Sequence, residues 1–236
     1  LPALTELPNG TVALAYIDKG ADDGNPMQLA LFDVISPRAR LVGTHGDDDL
    51  GGLSGNDRIL GLGGDDEIRG RAGDDILKGD DGNDSIYGGG GHDTLRGGDG
   101  NDLLKGGKGA DGLGGGTGAD RLLGENGRDI LGGGAGNDVL QEGRGNDVLK
   151  GGAGNDRLTG GSGQDTFVFV NGQAGQNTVT DFSESLDRIQ INLGDADAAD
   201  LSVKTGGGDT HITLDEVDVV LAGVILDESD ITFHFL

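Results

Sequence analysis

Glycine, aspartate and an apolar side chain recur at a fixed nine-residue spacing from Gly43 to Val168, fourteen times, with no insertion or deletion. The pattern is Gly-x-x-Gly-x-Asp-x-(apolar)-x. Position 4 is always Gly. Position 6 is always Asp: Asp48, Asp57, Asp66, Asp75, Asp84, Asp93, Asp102, Asp111, Asp120, Asp129, Asp138, Asp147, Asp156 and Asp165. Position 8 is always apolar, from Leu50 through Leu104 to Phe167. A period this short and this regular specifies a solenoid, because one apolar side chain per copy is buried only by stacking on its neighbours.

The order within each copy suggests a turn followed by a very short strand. Positions 1–6 read as turn, and positions 7–9 as strand with one inward side chain. Position 5 is often Asn or Asp, which tolerate left-handed backbone geometry. Position 1 is Gly in every copy except Glu142. Two copies then make one coil, so that each copy stacks on the copy eighteen residues later. Asp84 is expected to meet Asp102 on one edge, and Asp93 to meet Asp111 on the other.

Composition sharpens the problem. The 236 residues carry a formal charge of −25, 51 glycines, no cysteine and 3% aromatic residues. Such a chain leans toward disorder unless something offsets its charge. An acidic surface repels nucleic acid and anionic lipid. No apolar stretch approaches the ~18 residues of a membrane span. The balance favours a bound cation.

The turn chemistry names the cation class. Calcium takes six to eight oxygen ligands from carboxylates and backbone carbonyls. Glycine-rich turns let carbonyls approach where side chains would clash. Fourteen copies stacked two per coil allow about twelve shared sites. Twelve divalent ions would carry roughly +24, close to the deficit of the chain. The array is therefore expected to wind only when metal binds.

Other readings have less behind them. Gly-x-Gly-x-x-Gly matches inside the array are by-products of the period, with no strand–helix unit beside them. Asp80–Asp84 faintly suggests an EF-hand loop, but its flanks are too glycine-rich for helices. His45, His92, His211 and His234 are scattered, and His92 reads as a turn residue. No zinc-protease His-Glu-x-x-His and no Gly-x-Ser-x-Gly elbow occurs. The chain is accordingly read as not an enzyme in itself.

The repeats resemble the RTX family, the hemolysin-type calcium-binding repeats. The resemblance implies an all-β fold, a right-handed parallel β-roll with calcium ions held between turns. It implies ligation by the position-6 carboxylates, by carbonyls at positions 2 and 4 of one turn, and by carbonyls at positions 1 and 3 of the turn two copies later. Carried onto this chain, one site is Gly89, Gly91 and Asp93 with Gly106, Lys108 and Asp111. Elsewhere the same places fall on Gly98, Gly100, Gly107, Gly109, Gly115, Gly116, Gly118, Gly134, Gly136, Gly143, Gly145, Gly151, Gly152, Gly154 and Gly160.

Flanking segments read differently. Residues 1–42 hold strand-like Thr11–Tyr16 and Met27–Phe32, and read as the last hairpin of an upstream β region with a linker at Pro37 and Arg38. Residues 169–236 lose the period and read as a C-terminal β cap. Strand-like runs there are Thr166–Val170, Asn177–Phe182, Arg188–Asn192, His211–Leu214 and Val217–Leu221. Asp181 and Asp187 are candidates for a further ion or for ordinary turn aspartates. The tail resembles the region that follows such repeats in serralysin-type proteases, at Asp165–Phe169, Thr180–Phe182, Asp187–Ile191 and Leu221–Val224. That likeness implies an uncleaved type I secretion signal near Asp230–Leu236, with the secretion apparatus as partner and an extracellular location. The alternatives are the C-terminal part of a secreted metalloprotease, lipase or epimerase, or of a calcium-stiffened surface adhesin.

Overall fold

In the computed structural model, residues 3–6, 12–15, 29–32, 38–170, 172–192, 202–214 and 217–226 are described. Every regular element among them is a strand, and the strands form two sheets of twelve and eleven. Consecutive repeat strands alternate between the sheets. Thr94–Asp99 therefore lies between Ile76–Asp81 and Gly112–Thr117, parallel to both. On the opposite sheet Leu103–Lys108 lies between Ser85–Gly90 and Arg121–Asn126. The register is eighteen residues throughout the array, for example Leu95↔Leu113 and Leu104↔Leu122. The fold is a parallel β-solenoid, a β-roll with two copies per coil.

Most repeat strands are twice the expected length. They run six residues, through positions 7–9 of one copy and 1–3 of the next. Two residues per strand point inward, the position-8 side chain and the position-1 glycine of the next copy, as in the buried Leu95 and Gly97 of Thr94–Asp99. A glycine carries no apolar signal, so its half of the strand is read from sequence as turn. Only its lack of a side chain lets the two sheets close over the turn.

The core is one continuous cluster from Ala39 to Leu226. Stacked position-8 side chains such as Ile59, Leu77, Leu95 and Phe167 form its spine, all at 0% exposure. Winding extends beyond the regular period at both ends. Ala39–Val42 pairs in parallel with Arg58–Gly63, setting Leu41 beside Ile59. An antiparallel meander of Ala3–Glu6, Val12–Ala15 and Leu29–Phe32 continues that sheet. Downstream, Arg188–Asn192 pairs with Thr166–Val170, and Val217–Leu221 with Gly175–Val179, all in parallel. An antiparallel hairpin, Ser202–Gly206 with Asp209–Leu214, closes the second sheet. Phe182 leans against Phe167 at a ring separation of 6.2 Å. The segment between Thr11–Tyr16 and Met27–Phe32 and the Asp230–Leu236 segment lie outside the described residues.

Candidate metal centre

Each position-6 aspartate ends its turn and points inward, leaving the apolar residue two places later to enter the core. All fourteen are buried, from 0% exposure at Asp129 to 5% at Asp48. They form two ladders. In one, the Asp84 amide donates to Asp102 Oδ1 at 2.8 Å, and the Asp102 amide to Asp120 Oδ1 at 2.9 Å. In the other, the Asp93 amide donates to Asp111 Oδ1 and the Asp111 amide to Asp129 Oδ1, both at 2.8 Å. The expected pairs, Asp84 with Asp102 and Asp93 with Asp111, are thus adjacent. The direct amide-to-carboxylate bond between them is a feature the period alone does not announce.

The second carboxylate oxygen is different. From Asp66 to Asp165, Oδ2 of every repeat aspartate is buried and has no hydrogen-bond partner. In the first two copies it is used locally. Thr44 donates its amide to Asp48 Oδ2 at 2.5 Å, and the Leu53 amide donates to Asp57 Oδ2 at 2.6 Å.

The position-1 carbonyl of the turn two copies later stands near the orphan oxygen. A Cβ built on Gly97 would lie 2.0 Å from Asp102 Oδ2 and 2.7 Å from the Gly115 carbonyl. Gly106, Gly115, Gly151 and Gly160 each stand against Oδ2 of their own copy's aspartate in the same way. Position-2 and position-4 carbonyls point along the stack. The Asp80 and Gly82 oxygens lie 1.9 and 2.0 Å from where a Cβ on Gly98 and Gly100 would sit.

That close approach requires left-handed backbone. Gly89, Gly98, Gly107, Gly116, Gly134 and Gly152 at position 2 adopt it, with Gly91, Gly100, Gly109, Gly118, Gly136, Gly145 and Gly154 at position 4, at φ of +109° to +156°. Gly143, which follows Glu142, is not among the positive-φ glycines. Of the example set, Gly89, Gly91, Asp93, Gly106 and Asp111 come together around one turn edge. The Lys108 carbonyl already accepts from the Gly91 amide at 2.9 Å, and has a second lone pair to offer.

From Asp66 to Asp165 burial makes the ladder carboxylates reluctant to ionise in the absence of a counter-charge. Desolvation, followed by neighbouring carboxylates in the ladder, pushes Asp75 and Asp102 up to about 7 against the lowering by their amide partners. Asp66, Asp129, Asp138 and Asp165 rise to about 6 for the same leading reason. Glu142 is pushed to about 9 by burial and by four nearby aspartates.

Position 5 follows another rule than the expected left-handed geometry. No position-5 residue is among those with positive φ. Its side chain instead builds an outer ladder in the opposite sense, accepting from the amide eighteen residues later. Asn83 Oδ1 accepts from Asn101 at 2.8 Å, and His92 Nδ1 from Ala110 at 2.8 Å. A short acceptor side chain recurs at the position, and His92 supplies one, whereas Ala110, Ala119 and Arg128 leave gaps in the ladder.

Sequence reading missed three members of the inner ladders, Ala39 because it keeps the eighteen-residue spacing without a carboxylate, and two downstream because the spacing changes there. The Ala39 amide donates to Asp57 Oδ1. The Asp156 amide donates to Asn177 Oδ1 at 3.2 Å, and the Asp165 amide to Asp187 Oδ1 at 3.0 Å, offsets of 21 and 22 residues. The surviving signal was the triplet, polar residue two places before an apolar one, in Asn177-Thr-Val179 and Asp187-Arg-Ile189. Asp187 spends its other oxygen on the Ser183 amide, and Asp181 spends both on the Gly160 and Gly161 amides. Both act as turn acceptors.

Oxygen donors alone, paired carboxylates and nearby carbonyls suit a hard cation. The fold and these rows define a cation-binding β-solenoid. The family profile of the RTX calcium-binding nonapeptide repeat matches residues 42–77, 51–86, 78–113, 87–122, 106–140 and 143–168. The chain belongs to that family, whose repeats bind calcium.

No curated protein matches the chain. Among solved structures it is similar to the extracellular lipase LipA from Serratia marcescens at 19% identity and a TM-score of 0.40. That match covers 82% of this chain and 41% of the lipase. It is also similar to the AlgE6R2 and AlgE6R3 subunits of the Azotobacter vinelandii mannuronan C5-epimerase, both at 30% identity. These matches cover 51% and 52% of this chain and 91% and 78% of the subunits, with TM-scores of 0.38 and 0.27.

Proposed function

We propose that calcium ions sit between successive turns along both edges of the roll and drive its winding. Each ion takes the position-6 aspartates of stacked turns together with carbonyls at positions 2 and 4 of the earlier turn and 1 and 3 of the later one. The observation behind this reading is the run of buried, partnerless Oδ2 atoms from Asp66 to Asp165. A buried carboxylate oxygen without a donor costs several kcal/mol unless a cation satisfies it, roughly 3–5 for an uncompensated charge. About twelve ions fit the number of stacked turns.

In this reading residues 43–168 are the calcium array, the preceding segment ends an upstream β region, and residues 169–236 cap the roll and carry the export signal. The module has no catalysis of its own. Low cytosolic calcium leaves the chain unwound for a type I secretion channel, and extracellular calcium, bound by such modules at roughly 0.1–1 mM, winds it outside the cell. Circular dichroism of the whole chain tests the central step. Disorder in chelator and a strand spectrum on adding millimolar calcium are expected. A full strand spectrum already present in chelator overturns it.

A further inference from the structure

Glu142 stands where every other copy has glycine at position 1. It is 4% exposed, and neither carboxylate oxygen has a hydrogen-bond partner. The side chain is aimed into the turn edge. A Cβ built on Gly124 would lie 1.8 Å from Glu142 Oε2 and 2.8 Å from Asp129 Oδ2. Asp129, Glu142 and Asp147 are all buried, and one oxygen from each lies within 4.8 Å of the others. That span equals two oxygens on opposite sides of one calcium ion at about 2.4 Å.

The backbone has adjusted to admit this side chain. The strand Val139–Gln141 stops after three residues, where its neighbour Arg121–Asn126 runs for six. Past Glu142 the pairing continues as isolated bridges, Asn126↔Arg144 on one side and Arg144↔Ser162 on the other. A fold that interrupts its regular strand to bury a partnerless carboxylate has placed it against something that attracts it.

We propose that Asp129, Glu142 and Asp147 form a metal site of a different kind from the rest of the array, in which three side-chain carboxylates hold one calcium ion. The inference rests on the calcium reading of the ladders. The charges that act on Glu142 are all carboxylates, those of Asp147, Asp129, Asp165 and Asp111. A third carboxylate raises the charge on the ion's ligands, which is the main lever on calcium affinity. This site therefore fills first and holds the coils around it together while the remaining turns are still empty. It also favours a trivalent lanthanide over calcium more strongly than its neighbours do.

Calorimetric titration of the whole chain with calcium, for wild type, Glu142→Gln and Glu142→Gly, tests the site. One equivalent in the wild type should bind at least about tenfold more tightly than the others. In both variants that equivalent should weaken to the affinity of the others, and Glu142→Gly should keep the total number of ions because it restores the ordinary repeat. The emission lifetime of one equivalent of europium should report fewer bound waters in wild type than in Glu142→Gly. The proposal is overturned if the wild type shows no tight equivalent, or if Glu142→Gly takes up one ion more, as expected of a glutamate that fills an ion's place. Wild type binding no calcium at all would instead overturn the calcium reading of the whole array.

Discussion

Asp102 reaches back two copies with one oxygen and leaves the other uncommitted. Its Oδ1 accepts from the Asp84 amide at 2.8 Å, while its Oδ2 is buried without a partner. The same side chain thus stitches adjacent coils and faces the position-1 carbonyl of the turn two copies later. Structure and chemistry are coupled at one residue, which explains why position 6 admits no substitute in fourteen copies. Asparagine can make the stitch, as Asn177 does for Asp156, but it brings no charge.

Asp102→Asn should separate the two roles. The coil keeps its amide bond, loses a carboxylate held up to about 7 by burial, and takes up calcium at that turn at least about tenfold more weakly. In chelator at pH 8 the variant should be no less wound than wild type, because a buried negative charge has been removed. Calcium titration and circular dichroism measure both effects. Unchanged calcium uptake would show that Asp102 acts only as a stitch.

Glycines that look equivalent in the sequence should respond very differently to alanine. At Gly97 a methyl group would meet Asp102 Oδ2 at 2.0 Å and the Gly115 carbonyl at 2.7 Å. At Gly114, on the outer face, it would meet nothing within 4 Å. Gly97→Ala should cost about 1–3 kcal/mol through overpacking and weaken calcium uptake at its turn. Gly114→Ala should be neutral or stabilising by less than about 1 kcal/mol. Thermal melts in calcium distinguish the pair, and equal melting temperatures would remove the steric account.

Four turns carry a non-glycine residue in left-handed backbone at position 2: Leu62, Arg71, Asp80 and Glu125, with φ between +75° and +86°. Each such residue costs about 1–2 kcal/mol relative to glycine. Leu62→Gly changes no charge, so it should raise the melting temperature of the calcium-loaded protein by the equivalent of about 1 kcal/mol. A lower melting temperature would mean that the Leu62 side chain contributes more by packing than its backbone costs.

What was legible in the sequence was whatever the period repeats. The apolar spine, the two aspartate rows and their eighteen-residue register follow from position 6 and position 8 alone. The inward half of each strand was not legible, because Gly97 and its equivalents pack by having no side chain. Nor was the outer ladder, where Asn83 and His92 share a hydrogen-bonding role but little chemical resemblance. The ends were hidden by insertions that shift Asn177 and Asp187 out of phase, although the local triplet survives. Glu142 looked like an interruption of the pattern; only its burial beside Asp129 and Asp147 gives it a chemical role.

Protons and calcium should compete for the same oxygens. In the unfolded chain these aspartates have the ordinary value of 3.8, whereas in the ion-free coil Asp66, Asp129, Asp138 and Asp165 stand at about 6, and Asp75 and Asp102 at about 7, chiefly through desolvation. A raised folded-state value means that the coil binds protons more tightly than the unfolded chain does. Its contribution to stability is therefore full below pH 3.8 and is lost as pH rises through 6 to 7. In chelator, strand signal should grow on acidification from pH 8 toward pH 5. With calcium the trend reverses: half-saturation should need more calcium at pH 5.5 than at pH 8, and binding near pH 7 should release protons. Calorimetry in two buffers of different ionisation enthalpy counts those protons. No proton release, together with a chelated spectrum independent of pH, would mean that the ladder carboxylates are already ionised and stabilised in the coil without calcium.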